Sequence, residues 1–237
     1  MSLRSIIIFP VFFLTTLGFS LLALFAAFWD RTGNLSHRAA SLWATTLLKI
    51  TGVRVEIINL ETLTSGQAYI FAANHQSAFD ILALLSKLKV QFRWLAKDSL
   101  FRIPIFGWAM KRTGYIPINR SQAKQAYQSL LQAAQKIEEG ASVVIFPEGT
   151  RQQGGELGTF KKGGFVLALK SRQPIVPVSI LGSGRILPKK GMNLNPGTIR
   201  IILGKPIPTA EYKPKEAEIL MERVRGAIQE PLTHLGT

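Results

Sequence analysis

The chain has 237 residues, no cysteine, 47% hydrophobic residues and a formal net charge of +15. This length allows one sizeable α/β domain with an appendage rather than two full domains, and the lack of cysteine excludes a disulfide-stapled fold. The positive charge calls for an acidic partner, and nucleic acid and an anionic membrane are the two classes that fit.

The first predicted element is an uncharged, apolar helix over residues 5–29. It would be about 37 Å long against a hydrocarbon core of about 30 Å, which is long enough for a membrane segment. A cleavable signal peptide is the alternative, but the run is too long for the apolar part of one, and no small-residue cleavage pattern follows it. Ser36 is a plausible N-cap for a second helix over residues 37–49, in which Trp43 would be an interfacial anchor.

These two helices predict an N-terminal two-helix membrane anchor in residues 1–52, followed by an α/β domain in residues 53–237. Two arrangements fit: a hairpin within one leaflet, or a single span followed by an interfacial helix. All but one of the 29 Lys and Arg residues follow the first helix. The positive-inside rule therefore predicts that the domain lies on the cytoplasmic face of the cell (inner) membrane.

The rest of the chain alternates strand-like and helix-like segments. Segments rich in β-branched and aromatic residues predict strands at 53–60, 68–73, 92–96, 115–118, 142–146, 175–181 and 198–203. Helical patterns cover 78–88, 100–111, 122–139, 163–171 and 215–232, while residues 185–197 have the composition of a surface loop. This order predicts an α/β fold with a central mixed sheet of about seven strands flanked by helices, and active loops at the strand ends.

Basic residues concentrate between Lys87 and Lys124, where Asp98 is the only acidic residue. They are interleaved with bulky apolar side chains such as Trp94 and Trp108. This mixture suits a surface pressed onto anionic phospholipid. No zinc-ligand spacing, ribonucleoprotein motif or helix-turn-helix accompanies the basic residues, so we do not expect nucleic acid as a partner.

The segment Asn-His-Gln-Ser-Ala-Phe-Asp at residues 74–80 places His75 and Asp80 five positions apart. Two helical residues at this spacing point about 140° apart, so they can meet only if His75 precedes a helix and Asp80 lies in its first turn. Ser77 is a good N-cap for a helix that begins at Ala78. Asp80 itself has two interpretations: a helix-capping carboxylate or a partner for the imidazole of His75.

Four blocks in this order stand out: residues 74–80, 114–120 (Gly-Tyr-Ile-Pro-Ile-Asn-Arg), 146–151 (Phe-Pro-Glu-Gly-Thr-Arg) and 174–180 (Pro-Ile-Val-Pro-Val-Ser-Ile). Together they resemble the signatures of the glycerolipid acyltransferase family. The resemblance is strongest to the 1-acylglycerol-3-phosphate acyltransferases, which act on lysophosphatidic acid, and it covers roughly residues 70–182. Asn119 departs from the pattern because many members carry an acidic residue there.

The resemblance implies transfer of a fatty acyl group from an acyl thioester to the 2-hydroxyl of 1-acylglycerol-3-phosphate, which gives phosphatidic acid. His75 would be the general base and Asp80 would hold the imidazole in the required tautomer. Arg120 and Arg151 would offer bidentate forks to the substrate phosphate, and Lys97 a point charge. The family also implies a substrate phosphate-binding role for the block Glu148, Gly149 and Thr150.

Several alternatives remain open at this point. The acceptor could be glycerol-3-phosphate or another lysolipid such as a lyso-ornithine lipid, and a non-catalytic membrane lipid-binding protein is a different class of function. Ser77 could be a hydrolase nucleophile, although no Gly-x-Ser-x-Gly elbow surrounds it. Glu148 could hold Arg151 or Lys97, form a salt bridge to another nearby lysine, or accept a hydrogen bond from a substrate hydroxyl.

No cofactor and no metal site are expected. A metal site built from His75, Asp80 and Glu148 is conceivable, but Asp80 is already assigned as the hydrogen-bond partner of His75. The acyl donor, acyl-CoA or an acyl-carrier protein, is a substrate. His37 and His234 are expected to be ordinary surface residues.

Overall fold

Seven strands form one sheet in the computed structural model, which describes residues 2–119, 122–154 and 156–235. The strands are β1 Val53–Ile58, β2 Ile70–Ala73, β3 Phe92–Lys97, β4 Ile116–Ile118, β5 Ser142–Ile145, β6 Ile175–Leu181 and β7 Gly197–Leu203. Their order is β1-β7-β6-β2-β5-β3-β4, and every neighbouring pair is parallel except β6 and β7. The predicted mixed sheet is therefore confirmed.

Helices cover both faces of this sheet. They are α1 Leu3–Trp29, α2 Asn34–Ile50, α3 Phe79–Lys87, α4 Phe106–Arg112, α5 Ala123–Glu138, α6 Gly163–Ser171, α7 Ser183–Ile186 and α8 Ala217–Leu235, with 3-10 turns at Leu60–Thr62, Asp98–Arg102 and Pro214–Glu216. One core cluster joins α2 and α3 to the sheet through Leu47 and Leu82. The second joins α5, α6 and α8 through Ala133, Phe165 and Leu220.

The burial of the strands explains why their sequences differ. All residues of β2, β5 and β6 are buried, and their sequences are almost continuously apolar, as expected for strands covered on both faces. Edge strand β1 instead has every second residue exposed, at Arg54, Glu56 and Ile58. The chemistry-bearing loops therefore follow strands that are fixed on both sides by the core.

Two predicted segments between strands differ from the structure. The helix expected at 100–111 is broken by Pro104 into the 3-10 turn Asp98–Arg102 and α4. At Gly107 an added Cβ would lie 2.4 Å from the carbonyl O of Phe101, so this turn is closely packed. The predicted surface loop at 185–197 is also partly wrong, because α7 lies at its start and the side chains of Ile186 and Leu194 are buried.

The N-terminal region contains one membrane-type helix rather than two. Among the described residues, α1 is the one helix that is long and apolar enough to cross a membrane. Helix α2 instead packs against α1 and α3, and its Leu47 and Leu48 belong to the core of the α/β domain. The division of the chain at residue 52 remains a prediction.

The start of α2 differs from the prediction. The helix begins at Asn34 after Gly33, whose φ of 80° is in the left-handed region. Ser36 therefore lies inside the helix, where its Oγ donates to the carbonyl O of Ala23 in α1 at 2.8 Å. The Nε1 of Trp43 donates to Oγ1 of Thr16 at 3.1 Å, so this side chain packs on α1. Its role as an interfacial anchor stays a prediction.

The N-terminal end of α1 is hydrogen-bonded to the rest of the chain. The N–H of Ser2 donates to Oδ1 of Asn193 at 2.8 Å, and the N–H of Leu194 donates to Oγ of Ser5 at 2.9 Å. Arg4 donates to the carbonyl O of Thr51 at 2.6 Å. Because α1 also packs on α2 and α4, it lies along the domain instead of projecting away from it.

A buried arginine fixes the loop after α1. Arg93 donates to the carbonyl O of Phe92 at 3.0 Å, to the carbonyl O of Thr32 at 3.1 Å and to Oδ1 of Asn34 at 2.7 Å. His37 lies beside it, buried, with Nδ1 3.2 Å from the hydroxyl of Tyr115. Burial first, and then the charge of Arg93, lower the pKa of His37 to about 3. The expectation that His37 is a surface residue is therefore wrong.

Replacement of Arg93 should loosen this loop. In Arg93→Met the carbonyl of Thr32 and the amide of Asn34 lose a charged donor, and we expect a loss on the order of 3 kcal/mol in the free energy of unfolding. For a chain of this size that corresponds to a fall of about 6–12 °C in the melting temperature. Thermal unfolding in detergent measures this melting temperature, with the exposed Arg54→Met as the matched control. Equal melting temperatures for the Arg93→Met and Arg54→Met variants would contradict the stabilising role of Arg93.

Candidate active site

The predicted site residues lie where parallel strands end. His75 follows β2, Lys97 ends β3 and Glu148 follows β5. Because these strands are parallel, their carboxyl ends share one edge of the sheet. This edge is the usual place for ligand-binding loops in open α/β sheets.

His75 and Asp80 are in direct contact at this edge. Nδ1 of His75 lies 2.8 Å from Oδ2 of Asp80, with the Asp80 side chain fully buried and that of His75 14% exposed. The same Oδ2 accepts the backbone N–H groups of Gln76 and Ser77, each at 2.8 Å. Both interpretations of Asp80 therefore hold for one oxygen, because it contacts the imidazole of His75 and also fixes the turn before α3.

The hydroxyl of Ser77 is used in hydrogen bonds that hold the turn before α3. The helix begins at Phe79 with Ala78 as N-cap, one residue later than predicted. Oγ of Ser77 nevertheless accepts the N–H of Phe79 at 3.2 Å, and it donates to the carbonyl O of Leu187 at 2.8 Å. The hydroxyl proton of this fully buried serine is thus directed to a carbonyl rather than to His75.

Residues 146–152 hold His75 on three sides. The ring of Phe146 is stacked on the imidazole, with centroids 3.9 Å apart and planes 12° apart. The N–H of His75 donates to Oε1 of Glu148 at 2.7 Å, and the carbonyl O of His75 accepts the N–H of Gln152 at 2.7 Å. The position of the imidazole is thus set by a segment that lies about 70 residues further along the chain.

Glu148 is buried, and both of its carboxylate oxygens are engaged by backbone groups. Besides Oε1 with His75, Oε2 accepts the N–H of Gly158 at 2.7 Å. Burial raises the pKa of Glu148, while the hydrogen bonds from Gly158 and His75 act in the opposite direction. Within the described part of the chain, Glu148 forms no ion pair with Arg151, Lys97 or another lysine.

The other predicted phosphate ligands surround the loop after β5. Lys97 and Thr150 are exposed, Arg151 is half-buried, and Gly149 adopts a positive φ of 73°. An added Cβ at Gly149 would lie 3.0 Å from Cε of Lys161, so the Lys161 side chain passes over this glycine. Arg120 lies outside the described residues. The phosphate-binding roles of these residues stay predictions.

Sequence reasoning assigned no role to four residues that the structure places at the site. Phe146 and Gln152 hold His75, Lys161 lies over Gly149, and the buried Asn74 links strands β2 and β6. Nδ2 of Asn74 donates to the carbonyl O of Ile180 at 2.9 Å, and Oδ1 accepts the N–H of Ile180 at 2.7 Å. Asn74 and Phe146 are the first residues of two recognised blocks and Gln152 follows one of them, which was the signal for these three. Lys161 lies outside the four blocks and reaches Gly149 because the chain folds back over the loop after β5.

This arrangement suits proton abstraction from a hydroxyl. Oδ2 of Asp80 accepts two backbone N–H groups and also faces Nδ1 of His75. Nδ1 is therefore the nitrogen that donates, and Nε2 is left with its lone pair free to take a proton. An imidazolium formed at His75 would be stabilised by the buried carboxylate only 2.8 Å away. The pair can therefore activate an alcohol as a nucleophile.

Comparisons with known proteins give the family of this chain. The family model described as Acyltransferase matches residues 54–181. A 1-acyl-sn-glycerol-3-phosphate acyltransferase of Pseudomonas aeruginosa is 31% identical over 82% of this chain and 74% of its own length. The chloroplastic 1-acyl-sn-glycerol-3-phosphate acyltransferase BAT2 of Brassica napus is 38% identical over 83% of this chain. The chain covers only 56% of that plant relative.

A solved structure shares the fold. The crystal structure of the 1-acyl-sn-glycerophosphate acyltransferase PlsC from Thermotoga maritima superposes with a TM-score of 0.84, covering 98% of this chain and 95% of that one at 23% identity. The family model spans more than half of the chain, and the Pseudomonas aeruginosa relative is 31% identical over most of both chains. The chain belongs to the acyltransferase family.

Proposed function

We propose that this protein transfers a fatty acyl group from an acyl thioester to the 2-hydroxyl of 1-acylglycerol-3-phosphate and so forms phosphatidic acid. The observation that carries the proposal is the 2.8 Å contact between Nδ1 of His75 and the buried Asp80 at the carboxyl edge of the sheet. The names of the relatives from Pseudomonas aeruginosa and Brassica napus point to the acceptor.

The reaction follows from the orientation of His75. Nε2 takes the proton of the acceptor 2-hydroxyl while the oxygen forms a bond to the thioester carbonyl carbon. The tetrahedral intermediate collapses, the carbon–sulfur bond breaks, and the leaving sulfur takes the proton from the His75 imidazolium. A phosphatidic acid and a free thiol carrier leave, and no acyl group is attached to the protein at any stage.

The acceptor phosphate is assigned to the basic groups around the loop after β5. Lys97 and Arg151 form no ion pair with any described residue, so their charges are available to a ligand. Lys161 adds a third cation above Gly149. The backbone N–H groups of Glu148 and Thr150 lie in the same loop, whereas that of Gly149 donates to the carbonyl O of Phe146 at 2.9 Å. The positive φ of Gly149 allows a tight turn there.

Removal of one of these cations should weaken acceptor binding selectively. In Arg151→Ala the loss of a charge-assisted contact should raise the apparent KM for 1-acylglycerol-3-phosphate about tenfold and leave the KM for the thioester almost unchanged. Initial rates with each substrate varied in turn measure both constants. Arg54→Ala, an exposed arginine on the edge strand β1, is the control. A larger change in the thioester KM would mean that Arg151 does not hold the acceptor.

The proposed location is the surface of a membrane. Large apolar side chains of α1 are exposed along its whole length, from Leu3 and Ile7 through Phe13 to Phe28. Because α1 also lies along the domain, we place it within one leaflet, with the exposed Trp108 and the basic side chains of Lys111 and Arg112 against anionic headgroups. The excess of basic residues after α1 favours the cytoplasmic face.

An assay with several acceptors tests the proposed function. Detergent-solubilised protein is incubated with acyl-CoA or acyl-carrier protein and with 1-acylglycerol-3-phosphate, glycerol-3-phosphate or a lyso-ornithine lipid, and products are identified by mass spectrometry. We expect phosphatidic acid from 1-acylglycerol-3-phosphate at a rate well above the other acceptors. Absence of thiol release with every acceptor would instead indicate a lipid-binding protein without catalytic activity.

A further inference from the structure

A groove of about 660 Å³ lies beside the candidate active site. It is lined by Leu181 and Arg200, which are paired where β6 ends and β7 begins, at the edge of the sheet that carries His75. Gln76 and Gln152 also line it. Gln76 follows His75 in the chain, and the N–H of Gln152 donates to the carbonyl O of His75. The groove therefore reaches the immediate neighbours of the proposed base.

Positive charge dominates the polar part of this groove. Arg185, Lys189 and Arg200 line it, and none of its described lining residues is acidic. Arg200 is paired with Glu56 at 3.0 Å, which compensates part of its charge. Arg185 and Lys189 have no ion-pair partner among the described residues. The groove thus presents two uncompensated cations to a ligand, a composition that suits phosphate.

Part of the remaining surface is apolar. Leu232 and Leu235, from the last turn of α8, line the groove together with Leu181 and Pro188. Its volume falls within the range of small-molecule sites, which combine apolar walls with a few polar anchors. This combination fits an elongated ligand that has an anionic end and a less polar arm.

The groove is separate from the residues assigned to the acceptor phosphate. Lys97, Glu148, Thr150 and Arg151 are not among its lining residues. The proposed reaction needs two substrates that meet at Nε2 of His75, so a second binding site must open near this residue. An acyl thioester donor matches the groove, because coenzyme A and acyl-carrier protein both present the acyl group on a pantetheine arm that ends in a phosphate.

We propose that this groove binds the phosphopantetheine part of the acyl donor, with Arg185 and Lys189 on its phosphate and the pantetheine arm leading toward His75. The assignment rests on the proposed acyl transfer. It gives a function to α7 and to residues 185–189, for which the four sequence blocks imply no role.

The test is the double variant Arg185→Gln/Lys189→Gln, compared with wild type and with Lys190→Gln. Lys190 is the exposed neighbour of Lys189 and does not line the groove, so its variant is a matched control for loss of surface charge. Initial rates are measured with palmitoyl-CoA and, separately, with palmitoyl-carrier protein. The donor KM of the double variant should rise about tenfold, with kcat and the KM for 1-acylglycerol-3-phosphate unchanged.

The measurements with the two donors identify which carrier supplies the phosphate. A rise with both donors supports the shared phosphopantetheine, and a rise with one donor supports the groove as the site of that carrier. Unchanged donor KM values in an active double variant, or a rise in the acceptor KM instead, would overturn the assignment while the proposed function stands. If wild type releases no thiol from either donor, the proposed function fails, and the assignment fails with it.

Discussion

His75→Ala should reduce kcat about 10³-fold or more while the protein stays folded. General base catalysis by a positioned histidine contributes about 10²–10⁴-fold, and the alcohol is a poor nucleophile without it. The backbone contacts that hold this position, from the N–H to Glu148 and from Gln152 to the carbonyl O, do not involve the imidazole. Acyl transfer assayed in detergent, together with the melting temperature of the variant, measures both expectations.

His234→Ala is the control for this variant, because it removes an exposed imidazole near the end of α8. It should retain full turnover. His75→Ala with more than a tenth of wild-type kcat would show that another group is the base. A large fall in melting temperature would show instead that the imidazole is needed for folding through its stacking on Phe146.

Glu148→Gln should lower kcat about 10²-fold with little change in the KM for the acceptor. Both carboxylate oxygens accept backbone N–H groups, at His75 and at Gly158. A glutamine has one accepting oxygen, so its NH₂ group would face one of these donors and displace the loop. Displacement of a catalytic group by about 1 Å costs on the order of 10²-fold in rate, and a buried N–H without an acceptor costs about 1–3 kcal/mol of stability.

The kinetic pattern separates this positioning role from the phosphate-binding role that the family resemblance implies for Glu148. A group that contacts the acceptor in its ground state affects mainly KM, whereas a group that places His75 affects kcat. Glu156→Gln, at an exposed glutamate of the same loop, is the matched control. A tenfold rise in acceptor KM with unchanged kcat would assign Glu148 to the substrate instead of to His75.

The sequence predicted the sheet well because its central strands are apolar on both faces. The continuous apolar sequences of β2, β5 and β6 identify buried strands without any knowledge of their partners. Helix ends were less predictable. Pro104 broke a segment with helical composition, and α2 began two residues before its expected cap because Gly33 supplies the left-handed turn.

Contacts between distant segments explain the remaining differences. The sequence around His37 predicts an exposed side chain, yet β3 brings Arg93 and Phe92 against it. Glu148 next to Arg151 suggests an ion pair, but the fold places the backbone N–H of His75 within 2.7 Å of the carboxylate. Such contacts depend on strand order, which local patterns do not encode.

Direct attack of the acceptor on the thioester is tested by following thiol release and phosphatidic acid formation together, with wild-type protein and acyl-CoA. Without 1-acylglycerol-3-phosphate, we expect no burst of thiol and no acyl group on the protein. After its addition, thiol and phosphatidic acid should appear in equal amounts, because the acceptor oxygen attacks the thioester directly with His75 as base. A thiol burst equal to the protein concentration, with acyl-protein detected by mass spectrometry before the acceptor is added, would contradict this mechanism.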